Sequence, residues 1–157
     1  MTLRVRKRQV REIGGGRARI WRVWGPAWLG MLALAFTNGT ARAVGYQPLV
    51  GETAARQIAT GTLLGLLGGY VWVVHRRAPL PDTATATAVG GVWALLTLGF
   101  EFGFGHYVMG TSWAELLADY DVSRGRIWVL VPIATAAAPA LVLAAQIRSA
   151  ERQRETL

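Results

Sequence analysis

Cysteine is absent from the 157-residue chain. This excludes disulfide bonds, thiolate zinc sites, iron–sulfur clusters and oxidoreductases that work through cysteine pairs. The sequence also has no Walker motif, no Gly-x-Ser-x-Gly and no His-Glu-x-x-His, so the common signatures of nucleotide binding and of hydrolysis are missing. We therefore expect no cofactor, no metal and no catalytic residue.

Charge is scarce and unevenly distributed. Charged residues make up 17% and hydrophobic residues 52% of the chain, against roughly a quarter charged in soluble domains. Eight of the 17 basic residues precede Val23, whereas a soluble protein would spread charge over its surface. Because the basic residues flank apolar runs, membrane topology explains the net charge of +8 better than nucleic-acid binding does. We expect the lipid bilayer as a partner and no nucleic acid.

Four apolar stretches approach the roughly 20 residues that a membrane-spanning helix needs. The first is the weakest, since its apolar part covers only 27–36, and Ala41-Arg42-Ala43 after it looks like the cleavage site of a secretory signal. We predict that it is retained as a span. The fold class is then all-α, with a four-helix transmembrane domain over 23–148 and spans at about 24–44, 58–74, 84–106 and 127–147.

The basic residues also predict the orientation. Thirteen of them lie before the first span, after the second or after the fourth, and only four lie on the opposite side. Short cytoplasmic loops collect lysine and arginine. The sequence thus predicts an inner-membrane protein with both termini in the cytoplasm and a cytoplasmic tail at 149–157. Residues 1–22 form a basic cytoplasmic arm that we interpret as flexible or surface-lying and suited to anionic lipid headgroups.

Glycines recur at a spacing of four in two spans. Gly61, Gly65 and Gly69 share one helix face, and Gly99 and Gly103 repeat the spacing. Small residues at this spacing let a second helix backbone approach closely in lipid. We predict helix packing through these faces, with other membrane subunits or a second copy as partners. General glycine richness is the alternative explanation.

The segment before the fourth span has the pattern of a short helix at about 112–121. Ser112 and Glu115 fit a capping box, and Trp113, Leu116 and Tyr120 recur at helical spacing. An amphipathic helix in the outer membrane interface accounts for this pattern. A helix that covers the ends of the bundle accounts for it equally well.

Glu101 is the one acidic residue predicted within a span. A carboxylate in hydrocarbon must be paired, hydrated or protonated. We predict a polar cluster in the outer half of the bundle, with Glu101 at its centre and at least one arginine. It is a possible ion or ligand site, or a structural ion pair that fixes which helices are neighbours. Its other predicted members are Arg42, Arg124, Arg126, Asn38, Gln57 and His106.

The two histidines, His75 and His106, are predicted at opposite membrane faces. They therefore cannot bind one haem together, and neither has the further ligands that a metal site requires. We interpret each as a hydrogen-bonded histidine at the membrane interface.

The motifs FEFGFGHYVMGTSW, AELLADY and GRIWVLV, with NGTAR and YQPLVGETAARQ before them, resemble a family of small bacterial four-helix inner-membrane proteins. The resemblance covers about 36–131 and implies a four-span fold with a shared outer polar layer. It implies no reaction. The family pattern has an acidic residue and a histidine where this chain has Ala43 and Arg56.

Two functions fit these features best, and a membrane enzyme ranks third. The first is a non-enzymatic accessory or scaffold subunit that packs in a membrane complex or homo-oligomer through its glycine faces. The alternative is a small transporter or channel in which Glu101 couples protons or ions.

Overall fold

Residues 2–155 are described by a computed structural model of the chain, and side chains are described from residue 16 onwards except that of Arg17. The described residues form helices and connecting turns without a strand, which confirms the all-α prediction. The helices are α1 (Thr2–Ala41), α2 (Gln47–Val50), α3 (Glu52–Arg77), α4 (Thr83–Tyr107), α5 (Trp113–Ala118) and α6 (Leu130–Glu155).

Among the described residues, α3, α4 and α6 are long and apolar enough to cross a membrane. Three helices of this length and composition are typical of a membrane protein, in agreement with the sequence analysis. Helix α3 extends beyond the predicted 58–74 at both ends, and α4 agrees with 84–106 to within one residue at each end. Helix α6 begins three residues later than predicted and continues into the segment predicted as a tail.

The basic arm has a helical backbone that runs without a break into α1. Residues 2–22 thus have a helical backbone, Met1 lies outside the described residues, and the interpretation of the arm as flexible or surface-lying stays a prediction. A helix that is already nucleated grows by one hydrogen bond for each residue it fixes. The three glycines at 14–16 are accordingly accommodated inside α1 rather than ending it.

Helix α1 turns back onto α3 through a compact connection. A single π-helical segment, Arg42–Tyr46, leads from α1 into α2, and Gly51 with φ of 81° separates α2 from α3. Glycine adopts this positive φ without the steric cost of a Cβ. The two long helices therefore lie antiparallel, as a helical hairpin.

Side-chain bonds tie α1 along most of the length of α3. Trp24 donates its indole N–H to the carbonyl of Ala78 at 3.0 Å, and Asn38 donates to the carbonyl of Ala59 at 2.9 Å. Between these levels Tyr70 donates its hydroxyl to Ala27 at 2.8 Å. Helix α1 thus follows α3 from its C-terminal end to its second turn.

The four long helices form a ring in which consecutive α3 and α4 are not neighbours. Helix α6 packs between α3 and α4, and α1 packs on α3 and more loosely on α4. Helices α1 and α4 run parallel and meet mainly through side chains. One example is the indole N–H of Trp28, which bonds the Thr97 hydroxyl at 3.2 Å.

The two ends of this bundle differ in packing. At the Trp24 end, which contains Trp24 and Ala78, the side chains of Trp24, Val71 and Trp93 are completely buried. The indole of Trp93 donates to the carbonyl of Trp24 at 2.9 Å. At the Asp119 end, which contains Asp119 and the α2–α3 turn, the helices separate around a cavity.

Two helix backbones approach closely at Gly90, where a Cβ would collide with the carbonyl of Ala136. This contact brings α4 against α6, and the glycine spacing did not predict it. The glycines predicted to pack against a helix are Gly61, Gly65, Gly69, Gly99 and Gly103. A Cβ added at any of them would meet nothing within 4 Å, so they are not contact points inside the bundle.

We predict that Gly90→Ala destabilises the protein by about 1–3 kcal/mol, because the new methyl group must push the α6 backbone away. Gly91→Ala is the matched control, since a Cβ at Gly91 meets nothing within 4 Å. Unfolding in mixed micelles, followed by tryptophan fluorescence, measures both. Equal stability of the two variants would contradict the Gly90 contact.

Candidate functional site

A cavity of about 680 Å³ lies inside the Asp119 end, between α1, α3, α4 and α6. Its deep part is lined by apolar groups, among them Met31, Leu67 and Phe100. Its mouth is lined by charged residues from the helix ends and the α5–α6 loop. The volume falls in the range of small-molecule sites, roughly 300–1,000 Å³. This cavity is the candidate site.

Asp119 is the centre of the charged mouth. Its Oδ1 accepts from Arg56 at 2.9 Å and from Arg126 at 2.7 Å. Arg56 also pairs with Glu52, one turn earlier in α3, at 2.9 Å. Asp119 follows α5, Arg56 lies in the second turn of α3 and Arg126 precedes α6. One carboxylate thus holds three parts of the chain together.

The short helix α5 positions Asp119. The predicted capping box is confirmed: Ser112 accepts from the Glu115 backbone, and Glu115 accepts from the Ser112 backbone. The Ser112 hydroxyl and the Ser112 backbone N–H both donate to the Glu115 carboxylate, and these two bonds hold its pKa below the usual value. Helix α5 is shorter than the predicted 112–121. Leu116 is buried against Gly105 of α4, where a Cβ would collide with it.

Glu101 faces the cavity from α4 and is bonded to a tyrosine instead of an arginine. The Tyr120 hydroxyl donates to Glu101 Oε2 at 2.7 Å. In the described part of the chain no arginine, lysine or histidine nitrogen lies within 4.0 Å of the Glu101 carboxylate. The structural ion pair of Glu101 with an arginine, one of the two interpretations of the predicted cluster, is therefore not formed among the described residues. The arginines pair with Asp119 and its neighbours, which are closer to the polar end of the bundle.

Tyr120 and Trp128 complete the polar group around Glu101. Burial raises the pKa of Tyr120 far above its usual value, and the hydrogen bond to Glu101 and the negative charges of Glu101 and Asp119 act in the same direction. Tyr120 therefore stays a donor over the physiological range. The buried indole N–H of Trp128 lies close enough to Glu101 and Tyr120 to act on both, although no acceptor in the described ranges has the distance and angle of a formed hydrogen bond. Glu101 thus lies among donors that favour an acceptor at its position.

The other predicted members of the cluster line the same cavity, with one exception. Asn38 is bonded to Ala59, and Gln57 donates to the Gly125 carbonyl at 3.3 Å. Arg124 pairs with Asp121 at 3.0 Å on the rim and is largely exposed. Arg42 lines the mouth from the π-helical segment.

His106 is the exception, since it lies outside the cavity. Its Nδ1 is 3.0 Å from the Thr111 carbonyl, and its ring stacks on Trp113 with centroids 4.2 Å apart. This histidine fixes the turn between α4 and α5. His75 is buried at the Trp24 end, where its Nδ1 accepts from the Leu80 backbone at 3.4 Å.

Four residues of the site were missed by the sequence analysis as members of the cluster: Arg56, Asp119, Tyr120 and Trp128. For the two charged residues, Arg56 and Asp119, a count of the charges on the outer side contains a signal. Four arginines lie on that side, Arg42, Arg56, Arg124 and Arg126, and the α5 region has the acidic residues Asp119 and Asp121 with which such a group can pair. The tyrosine and tryptophan had no such signal.

No protein-family model, curated protein or solved structure matches this chain. The site is therefore interpreted from its own geometry.

We predict that Asp119→Asn lowers the free energy of unfolding by about 1 kcal/mol, because it leaves two neighbouring arginines without their shared negative charge. The three side chains are 32–40% exposed, so water screens the effect well below that of a fully buried pair. Asp121→Asn is the matched control, since the ion pair of Asp121 is with the 72% exposed Arg124 and an asparagine oxygen can still accept from Ser123. An equal loss in the two variants, measured in the same mixed-micelle titration, would contradict the central position of Asp119.

Proposed function

We propose that this chain is a multi-pass protein of the bacterial inner membrane that crosses the bilayer four times, with both termini in the cytoplasm. We further propose that it works as a non-enzymatic accessory or scaffold subunit.

Packing supports α1 as the fourth crossing. From Trp24 to Ala41 the helix has 18 residues, which correspond to about 27 Å, close to the thickness of the hydrocarbon core. Over this length α1 bonds to α3 at both ends and runs beside α4. A helix that follows one apolar span over most of its length and runs beside part of a second one is expected to lie in the same surroundings.

Charge supports the orientation. The Trp24 end has Arg76 and Arg77 at the end of α3, and the basic part of α1 and the arginines of the α6 C-terminus continue from the same end. Only four arginines belong to the Asp119 end. This asymmetry favours the Trp24 end as the cytoplasmic one.

The proposed accessory role rests on the glycine face of α3, which no other described helix covers. Gly61, Gly65 and Gly69 are all exposed on the outside of the bundle. A shallow groove lies along this face, lined by Gly65, Gly69 and Leu34 of α1 among others. Such a groove accepts a helix at close range in lipid, where small residues drive association. Within the chain itself, the described helices leave it unfilled.

We predict that the protein in mild detergent is larger than one chain and that Gly65→Leu weakens this association about tenfold, because the side chain fills the groove. Ala145→Leu is the control, since it adds bulk to an exposed position on α6. Light scattering after size exclusion gives the mass, and purification from native membranes identifies any partner subunit. Wild-type protein that is monomeric and free of partners, or association unchanged by Gly65→Leu, would contradict the proposal.

A transporter or channel is the second candidate, because Glu101 lines a cavity that extends from the Asp119 end toward the middle of the bundle. This candidate predicts a pH-dependent conductance or proton leak in liposomes that Glu101→Gln abolishes. Glu151→Gln, on the exposed end of α6, is the control. A conductance that survives in Glu101→Gln, or no conductance at all, would exclude Glu101 as a coupling residue.

A further inference from the structure

We propose that the cavity binds a single-chain anionic amphiphile, with its chain in the apolar part and its headgroup at Arg42. The inference is independent of the association through the α3 glycine face.

The lining of the cavity changes from apolar to charged along its depth. The deep part is formed by Met31, Leu63, Leu67, Phe100 and Val131. The mouth adds the charged groups of Arg42, Glu52, Arg56 and Asp119. A ligand that matches this gradient has an apolar chain and a polar head, because each part is then buried against groups of its own kind.

The pairing of the mouth charges selects an anionic head. Arg56, Arg124 and Arg126 are each engaged by an acidic side chain. Arg42 has no hydrogen-bond or ion-pair partner for its side chain in the described part of the chain, although it lines the mouth and is half-buried. A half-buried guanidinium without a carboxylate is a donor group for an anion.

The acidic side chains of the lining are each already engaged. Asp119 is neutralised by two arginines, Glu52 pairs with Arg56, and Glu101 accepts from Tyr120. The remaining strong positive group at the mouth is therefore that of Arg42. It belongs to the π-helical segment Arg42–Tyr46, and such segments inside helices are frequent at functional sites.

The cavity volume limits the ligand to one chain. A methylene group takes roughly the volume of a water molecule, about 30 Å³, so a twelve-carbon chain needs about 360 Å³ and leaves room for a headgroup in about 680 Å³. Two chains of sixteen carbons need about 960 Å³ on the same basis. A free anion would leave the apolar part of the cavity unmatched.

The test uses the full chain in amphipol and native mass spectrometry, which counts bound ligands for each protein molecule. The probes are dodecyl phosphate, dodecanol as the chain alone and inorganic phosphate as the anion alone. We expect one dodecyl phosphate to bind about tenfold more tightly than dodecanol, since a hydrogen bond to a charged group contributes on that scale. Inorganic phosphate should neither bind nor compete at the same concentration.

Four variants locate the site. Arg42→Gln should weaken dodecyl phosphate about tenfold and leave dodecanol unchanged, whereas Arg42→Lys should retain most of the binding. Arg148→Gln, at an exposed position of α6 near the opposite end, is the charge-matched control and should bind as the wild type does. Ala35→Trp fills the cavity from α1 and should abolish binding of both chain probes.

Four results would overturn the proposal. Equal binding of dodecanol and dodecyl phosphate would show that no anion is recognised. Competition by inorganic phosphate as strong as that by dodecyl phosphate would show a free-anion site. Equal losses in Arg42→Gln and Arg148→Gln, or binding that Ala35→Trp leaves unchanged, would show that the amphiphile lies elsewhere.

Discussion

The position of α1 depends on Trp24, and the cavity at the Asp119 end depends on where α1 lies. The Trp24 indole is completely buried and donates to the Ala78 carbonyl, while its own carbonyl accepts from Trp93. One residue thus joins α1 to the end of α3 and to α4. A buried indole N–H that has no water to bond is costly without a protein acceptor, so these bonds stabilise the position of α1. They fix the depth of α1, and this depth determines which of its residues reach the cavity.

The helices pack closely at the Trp24 end and separate at the Asp119 end, and the cavity results from this difference. At the Trp24 end large rings fill the space between helices, and Gly90 brings α4 directly against the backbone of α6. At the Asp119 end α1 and α4 are joined by side chains such as Phe36 and Phe100 rather than by backbone contact. The charged residues of the loops then cover the opening. An apolar cavity with a charged mouth is the consequence.

The sequence predicts the helical class, α4 nearly to the residue and the capping box of α5, because each depends on local chemistry: apolar length, and the pair Ser112 and Glu115. It also predicts that Glu101 has polar neighbours. It does not predict that Tyr120 donates a hydrogen bond to Glu101, or that the arginines form their ion pairs with Asp119. Both interactions depend on how α5 packs on α4. The contact glycine Gly90 was missed for the same reason: spacing identifies a smooth helix face but not which face a neighbour covers.

The central claim is that α1 crosses the membrane beside α3, α4 and α6. The natural absence of cysteine allows single cysteines to be placed at Gly16, Ala114 and Ser149, which are all exposed, and labelled in intact cells with a maleimide that cannot cross the inner membrane. The account predicts that Ala114→Cys is labelled in intact cells, and that Gly16→Cys and Ser149→Cys react only after the cells are opened. Labelling of Gly16→Cys from outside, with Ser149→Cys still protected, would mean three crossings and would contradict it.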